Sequence, residues 1–292
     1  MGLDETSRAK LQSPKLQASN VPTSNVPGPN LPNLELRRLD DYQSWQVRWG
    51  GVSILIDPWL TDDPIGGSFT RRHTSGFTTL EQLDDEAVTA ILLCTGVSDH
   101  ARPQTLAKFA DIPVLGPRGA VRVAQRAGCR AASVLRPGQQ RRFDGPDGCG
   151  VLVRATRTGF PLGLIAVGYV IEAHDAAGIV RGRIWLDPHL PGVRQAQLIA
   201  PVDLALLPCH AVTAMVMPVT HGPTAVAAVA IAAQAAVVVP TATDPGRDMT
   251  GWQRLLYRVN GGAAALRSLL TPGTELRPME AGERLLIKHP AQ

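Results

Sequence analysis

Ala90-Ile91-Leu92-Leu93-Cys94-Thr95-Gly96-Val97-Ser98-Asp99-His100 begins as an uncharged apolar run and passes into a loop carrying a glycine, a carboxylate and an imidazole. Five apolar residues bounded by turn formers predict a short buried strand. A loop leaving the C-terminal end of such a strand is where layered α/β proteins present ligand-handling side chains, because the strand fixes where the loop starts. Asp99 and His100 are neighbours, so in extended chain they point apart and can meet on one ion only if the loop turns. Otherwise Asp99 caps a turn before the helix predicted over 103–110, which has proline at its first position, and His100 is a hydrogen-bonded structural residue.

Upstream, two β-rich segments at 44–49 and 52–56 flank Gly50-Gly51, which predicts a hairpin, and Asp57-Pro58-Trp59 ends its second strand. Residues 60–80, rich in Gly and Thr with Arg71, Arg72 and His73, predict a surface excursion. Downstream, strands are predicted at 112–115, 132–135, 141–143, 151–155, 165–173 and 183–186, with a helix at 118–127 stopped by Gly128. Late in the chain a buried strand at 204–207, a loop, an Ala-rich helix at 224–236 and a strand at 237–239 are expected. Helices at 252–259 and 263–270 and a strand near 284–288 follow. Such an order fits two facing mixed sheets with helices outside better than one doubly wound sheet.

Hydrophobic residues make up 44% of the 292, and aromatics only 4%, so a large core must be built from small aliphatic side chains in closely spaced layers. The net charge of +4, nearly all of its positive side arginine, is too small and dispersed to announce nucleic acid. Residues 1–33, rich in Ser, Pro and Asn without period, are read as a flexible leader ahead of a single domain over 34–292. Residues 204–243 hold no Asp, Glu, Lys or Arg, but Pro208, Pro218, Pro223 and Pro240 cut them too short for a membrane span. The four scattered cysteines, and first residues that do not read as a signal peptide, predict a reducing, cytoplasmic-type compartment.

Ser44-Trp45, Gly50-Gly51, Ile54-Leu55-Ile56-Asp57-Pro58-Trp59-Leu60, the strand before Asp99-His100, Gly168-Tyr169-Val170-Ile171-Glu172, Asp203-Leu204-Ala205-Leu206-Leu207-Pro208 and Val237-Val238-Val239-Pro240 follow one another in a telling order. That order resembles the metallo-β-lactamase superfamily, most of all the branch of ascorbate-phosphate lactonase and phospholipase-D-like hydrolases. The resemblance runs from about Leu34 to about Asp244. It implies an α/β (α+β) fold, a four-layer αββα sandwich with the site along one edge.

The family loop His-x-His-x-Asp-His falls on Thr95, Val97, Asp99 and His100, so two metal donors are replaced. Phe160 stands at or near a third ligand position and Ala242 at a fourth. The bridging aspartate is represented by His189 in register, or by Asp187 with a two-residue slip. Gly96, Asp99-His100-Ala101 and Pro188-His189 resemble a degenerate subgroup of cyanobacterial and plant proteins that lacks the leading histidines. What this implies is no cofactor, with one divalent metal (zinc, iron or manganese) on Asp99, His100 and His189 as the alternative.

Three functions then stand open. One is a ligand-binding or assembly pseudoenzyme. The others are a single-metal hydrolase of an ester, lactone or phosphodiester, and a metal-free enzyme with His100 or His189 as base and Asp187 or Asp99 orienting it. Thr95, Phe160, Cys209 and His210 are the candidate contacts to a small-molecule ligand. Cys209 and His210, side by side in sequence, make a catalytic pair only if the base reaches the sulfur in space. The uncharged helix at 224–236 is covered either by the chain's own C-terminal helices or by a second copy.

Overall fold

The computed structural model describes residues 33–64, 73, 76–83, 87–242, 245, 249 and 251–287. Nearly all of the predicted leader, with Arg71, Arg72 and His289, lies outside them. The first sheet holds β1 (Leu34–Arg38), β2 (Trp45–Trp49), β3 (Val52–Ile56), β4 (Ala90–Leu92), β5 (Val114–Gly116) and β6 (Ala132–Val134) in that order. A C-terminal strand, β17 (Arg284–Ile287), lies outside β1. The second sheet runs from β7 (Gln140–Asp144) through β8 (Gly150–Arg157), β9 (Val167–His174), β10 (Val180–Leu186), β11 (Leu204–Leu207) and β14 (Val237–Pro240) to β16 (Glu275–Leu276). A small third sheet is formed by β12 (His210–Ala214), β13 (Met217–Thr220) and β15 (Tyr257–Gly261).

Both large sheets bury two faces, and the side-chain period of two sorts residues between them. Ile54 and Ile56 of β3, Tyr169 and Ile171 of β9, and Leu204 and Leu206 of β11 meet in the core between the sheets. Their neighbours point outward: Leu55 joins Leu106 of α1 (Pro103–Leu106) and Ala120 and Ala124 of α2 (Arg118–Arg126). On the other side Val170, Ala205 and Leu207 pack with α3 (Val193–Ile199), α4 (Pro223–Ala232) and Leu266 of α6 (Ala263–Arg267). The result is helix, sheet, sheet, helix. Burying one such Leu or Ile contributes about 1.5–3 kcal/mol, which is why both faces of these strands are apolar.

The Gly50-Gly51 turn joins β2 to β3 with φ of +51° and +79°, the pair of left-handed conformations that a two-residue hairpin with right-handed twist needs. The alanine-rich α4 shares its buried cluster with Leu266, so the chain's own C-terminal helix covers part of it. It ends at Ala232, four residues before the predicted end, and Gln234 at φ +49° turns the chain into β14.

The structure departs from the expected elements in several places. The helix expected over 252–259 stops at Leu256 as α5 (Gly251–Leu256), and Tyr257–Gly261 is a strand because β12 offers it a ladder. The loop expected after 207 contains the β12–β13 hairpin. Helix α3 was not expected at all, its residues showing no clear helical period.

Arg38, at 2% exposure, ties the two ends of the domain together. Its Nε donates to the Asp40 carbonyl at 2.9 Å, Nη1 to the Met279 carbonyl at 2.6 Å and Nη2 to the Tyr42 carbonyl at 2.8 Å. Arg38→Ala leaves these acceptors without their donor in a dry site. It is expected to cost about 2–4 kcal/mol in urea unfolding, and a loss below about 0.5 kcal/mol contradicts the role.

Candidate metal centre and cavity

Strands β3 and β4 run parallel in the first sheet, as do β10, β11 and β14 in the second, so their C-terminal ends deliver loops to one edge. The start of β2 lies beside the end of β3, Trp45 opposite Ile56, which brings Tyr42 and Gln43 to the same edge. A cavity of about 430 Å³ opens there. Its lining includes Tyr42, Gln43, Thr95, Asp99, His100, His189, Cys209 and His210 among apolar walls of Leu162, Ile165, Pro188, Val212 and Val219.

Asp57 follows β3 with φ +46°, a left-handed conformation that aspartate tolerates better than most residues. Its Oδ1 accepts the Cys94 N–H at 2.8 Å and its Oδ2 lies 2.8 Å from His100 Nδ1. The loop after β4 does turn, since the His100 and Ala101 N–H groups both donate to the Val97 carbonyl. That turn brings Asp99 Oδ2 to 3.7 Å from His100 Nε2. Gln43 Nε2 donates to the Asp99 carbonyl at 3.0 Å and sits 3.1 Å from His100 Nε2.

Burial alone would lower the His100 pKa, but Asp57 and then Asp99 outweigh it and raise it to about 9. The site therefore favours positive charge at this imidazole. Yet the Gln43 amide, oriented by its bond to the Asp99 carbonyl, puts a donor where an Nε2 proton would point. In the neutral ring the Asp57 contact places the proton on Nδ1 and leaves Nε2 an acceptor for that donor.

His189 faces His100 with ring centroids 4.7 Å apart and planes tilted by 57°. It is buried, and neither of its ring nitrogens has a hydrogen-bond partner. Burial, then the neighbouring His100, holds its pKa well below the usual imidazole range, so the ring is neutral. Asp187 stands behind it: Oδ1 accepts Thr158 Oγ1–H at 2.9 Å and the His189 N–H at 3.1 Å. Its Oδ2 is buried without a partner, and burial pushes its pKa up to about 7 against those two bonds.

Of the residues singled out in sequence, Thr95, Asp99, His100, His189, Cys209 and His210 reach the cavity wall. Asp187 is fully buried outside the lining, and so positions His189 rather than meeting a ligand. Phe160 is 81% exposed and also outside the lining. Cys209 Sγ lies 3.3 Å from His210 Nδ1. His221 belongs to the entry turn of α4, its Nδ1 donating to the Pro191 carbonyl. His73 is held between Trp59 and Phe77 and faces Asp41. Sequence reading had given no site role to Asp57, Gln43 or Cys94. An aspartate closing the buried, largely apolar strand β3 was the available signal, because a buried carboxylate needs partners.

A family model described as the beta-lactamase superfamily domain matches residues 40–242. The chain belongs to the metallo-β-lactamase superfamily. None of the curated proteins matches its sequence significantly. Among solved structures it is similar to the metallo hydrolase Igni18 from Ignicoccus hospitalis, at 18% identity and TM-score 0.58 over 88% of this chain and 100% of that one. Isothiocyanate hydrolase from Delia radicum gut bacteria is similar at 16% identity and TM-score 0.60, again over 88% and 100%. CmlA, described as a diiron β-hydroxylase from Streptomyces venezuelae, is similar at 14% identity and TM-score 0.60 over 88% of this chain. This chain spans 54% of CmlA's length.

The expectation of no cofactor is corrected here. Asp57, Cys94 and His100 offer ligand atoms that all lie within 4.8 Å of one another, in a fold whose similar structures are described as diiron and metallo proteins. Loss of the family's leading histidines removed donors from one loop, but folding gathers others around His100. A carboxylate, a thiol and an imidazole suit zinc or iron better than magnesium or calcium. The partnerless nitrogens of His189 beside them fit the same conclusion, since a buried imidazole with nothing to bond is costly unless an ion supplies the partner. No helix among the described residues is long and apolar enough to cross a membrane.

Proposed function

We propose that this chain is a single-metal hydrolase of small neutral esters or lactones, with the ion held by His100, His189 and the Asp99 carboxylate. The observation that carries the reading is His189, buried on the cavity wall with both nitrogens unpartnered and its ring 4.7 Å from that of His100. When bound, a divalent ion supplies Lewis-acid polarisation of a carbonyl and a lowered pKa for water.

The protein's own residues do the rest. Asp57 holds the Nδ1 proton of His100, fixing the tautomer so that Nε2 points to the cavity, which is the usual outer partner of a metal-ligating histidine. An ion on His100 Nε2 would replace the Gln43 contact there, while Gln43 keeps its bond to the Asp99 carbonyl. Asp187 fixes the backbone of His189. The apolar walls exclude water and select a small hydrophobic body. No Lys or Arg is among the described residues lining the cavity, and Asp99 adds negative charge, which favours a neutral ester over a phosphodiester.

A second reading has its own support. Thr95, Val97 and Ala242, at three positions where the family resemblance expects histidines, line the cavity, which favours a ligand-binding pseudoenzyme of the degenerate subgroup. Four widely spaced cysteines, all buried and unpaired, support a reducing cytoplasmic setting for either. Elemental analysis after chelator-free purification is expected to find about one equivalent of zinc, iron or manganese. Assay of 4-nitrophenyl acetate, a γ-lactone and bis(4-nitrophenyl) phosphate is expected to show turnover of the first two only. Metal without any turnover supports the pseudoenzyme, and preference for the phosphodiester contradicts the substrate class.

A further inference from the structure

Cys209 and His210 stand where β11 hands the chain to the third sheet. Adjacent residues in a strand point to opposite faces, so their adjacency in sequence promised nothing. Here Pro208 and Cys209 leave one sheet and His210 begins β12 in another, and the change of direction folds the two side chains together. Cys209 Sγ lies 3.3 Å from His210 Nδ1, and both line the cavity. We propose that Cys209 and His210 form a nucleophile and general-base pair that accepts an acyl group from a small neutral ester without any metal.

The surroundings hold this pair in place. The Cys209 carbonyl accepts the Gly262 N–H at 2.8 Å, and Thr220 Oγ1 donates to the His210 carbonyl at 2.5 Å. Gly262, at φ +134°, adopts a conformation suited to glycine, and a Cβ there would press on His210 Nε2 at 3.3 Å. Burial pushes the Cys209 thiol up to about 11, with Arg38 and a backbone N–H opposing it. The resting thiol therefore keeps its proton, and a base in contact is what makes the sulfur useful. Cys129, by contrast, spends its thiol on the Leu106 carbonyl at 3.4 Å.

In the step, Nδ1 of His210 takes the thiol proton as sulfur bonds to the carbonyl carbon of the ester. The bond from that carbon to the alcohol oxygen breaks, and the alcohol leaves with the proton from Nδ1. Water then attacks the thioester carbon, with His210 again moving the proton, to release the acid and restore the thiol. This chemistry does not rest on the metal reading, and the test separates them.

Full-length protein is treated with 1,10-phenanthroline, dialysed and mixed with 4-nitrophenyl butyrate, with intact mass and peptide mapping after acid quench. One butyryl group on Cys209 is expected in this metal-free protein, where the metal reading predicts no turnover. His210→Gln is expected to slow acylation by about 10²-fold or more, and Cys209→Ser to lose the cysteine adduct. Acylation elsewhere, no adduct, or an unchanged rate in folded His210→Gln overturns the proposal. Mapping of the wild type decides alone if a variant fails to fold.

Discussion

Replacing His189 with alanine is expected to lower the metal content from about one equivalent to background, and with it the chelator-sensitive part of the ester turnover by about 10²-fold or more. Both nitrogens of this ring are buried and lack hydrogen-bond partners, so the ion is the partner that explains them. Cys94→Ser, made in parallel, tells which side of His100 is used. The thiol belongs to the inner group with Asp57, where burial and then the Asp57 charge drive its pKa well above normal. Metal kept in Cys94→Ser but lost in His189→Ala supports the outer set. The opposite pattern moves the ion to Asp57, Cys94 and His100. Stability adds a second readout: in chelated protein His189→Leu removes two unsatisfied nitrogens at similar volume. It is expected to match or exceed the chelated wild type in urea, whereas a structural hydrogen-bonding role predicts a loss of about 1–3 kcal/mol.

Asp57→Ala is expected to be the most destabilising single substitution at the site, by about 3–5 kcal/mol in urea unfolding. Two buried partners, the Cys94 N–H and His100 Nδ1, each lie 2.8 Å from its carboxylate, and neither has water to turn to. Alanine also tolerates φ +46° less well than aspartate. Against a usual total of about 5–15 kcal/mol, that loss leaves a marginal domain. Asp57→Asn separates the contributions, since it keeps the backbone preference and one acceptor but turns its amide donor towards one of the two N–H groups. A loss of about half the alanine value is expected, and equal stability of wild type and Asp57→Ala contradicts the assignment.

The sandwich was legible in the chain because each of its strands carries its own instruction. An uncharged run such as Leu204-Ala205-Leu206-Leu207 has to be covered on both faces, and the order of such runs fits two facing sheets and resembles the metallo-β-lactamase superfamily. Asp99 and His100 were legible for a related reason, since a polar loop at the end of a buried strand has one edge to occupy. Reading ran short where pairing decides. Residues 257–261 became a strand only because β12 was beside them. The cofactor expectation failed in the same way: it counted donors at the family's ligand positions, while Asp57 and Cys94 stand at strand ends to which that count gave no donor role.

By itself, then, the sequence determined the layers, the edge at which the loops gather, and the presence there of Asp99, His100 and His189. Tertiary structure decided which atoms meet. His189 comes to face His100 from the other sheet, the left-handed Asp57 aims its carboxylate back at Cys94 and His100, and a change of sheet closes Cys209 onto His210. Burial patterns are written locally, in periods of two. Side-chain convergence depends on backbone angles at a few turns and on partners from distant strands, which residue spacing does not encode.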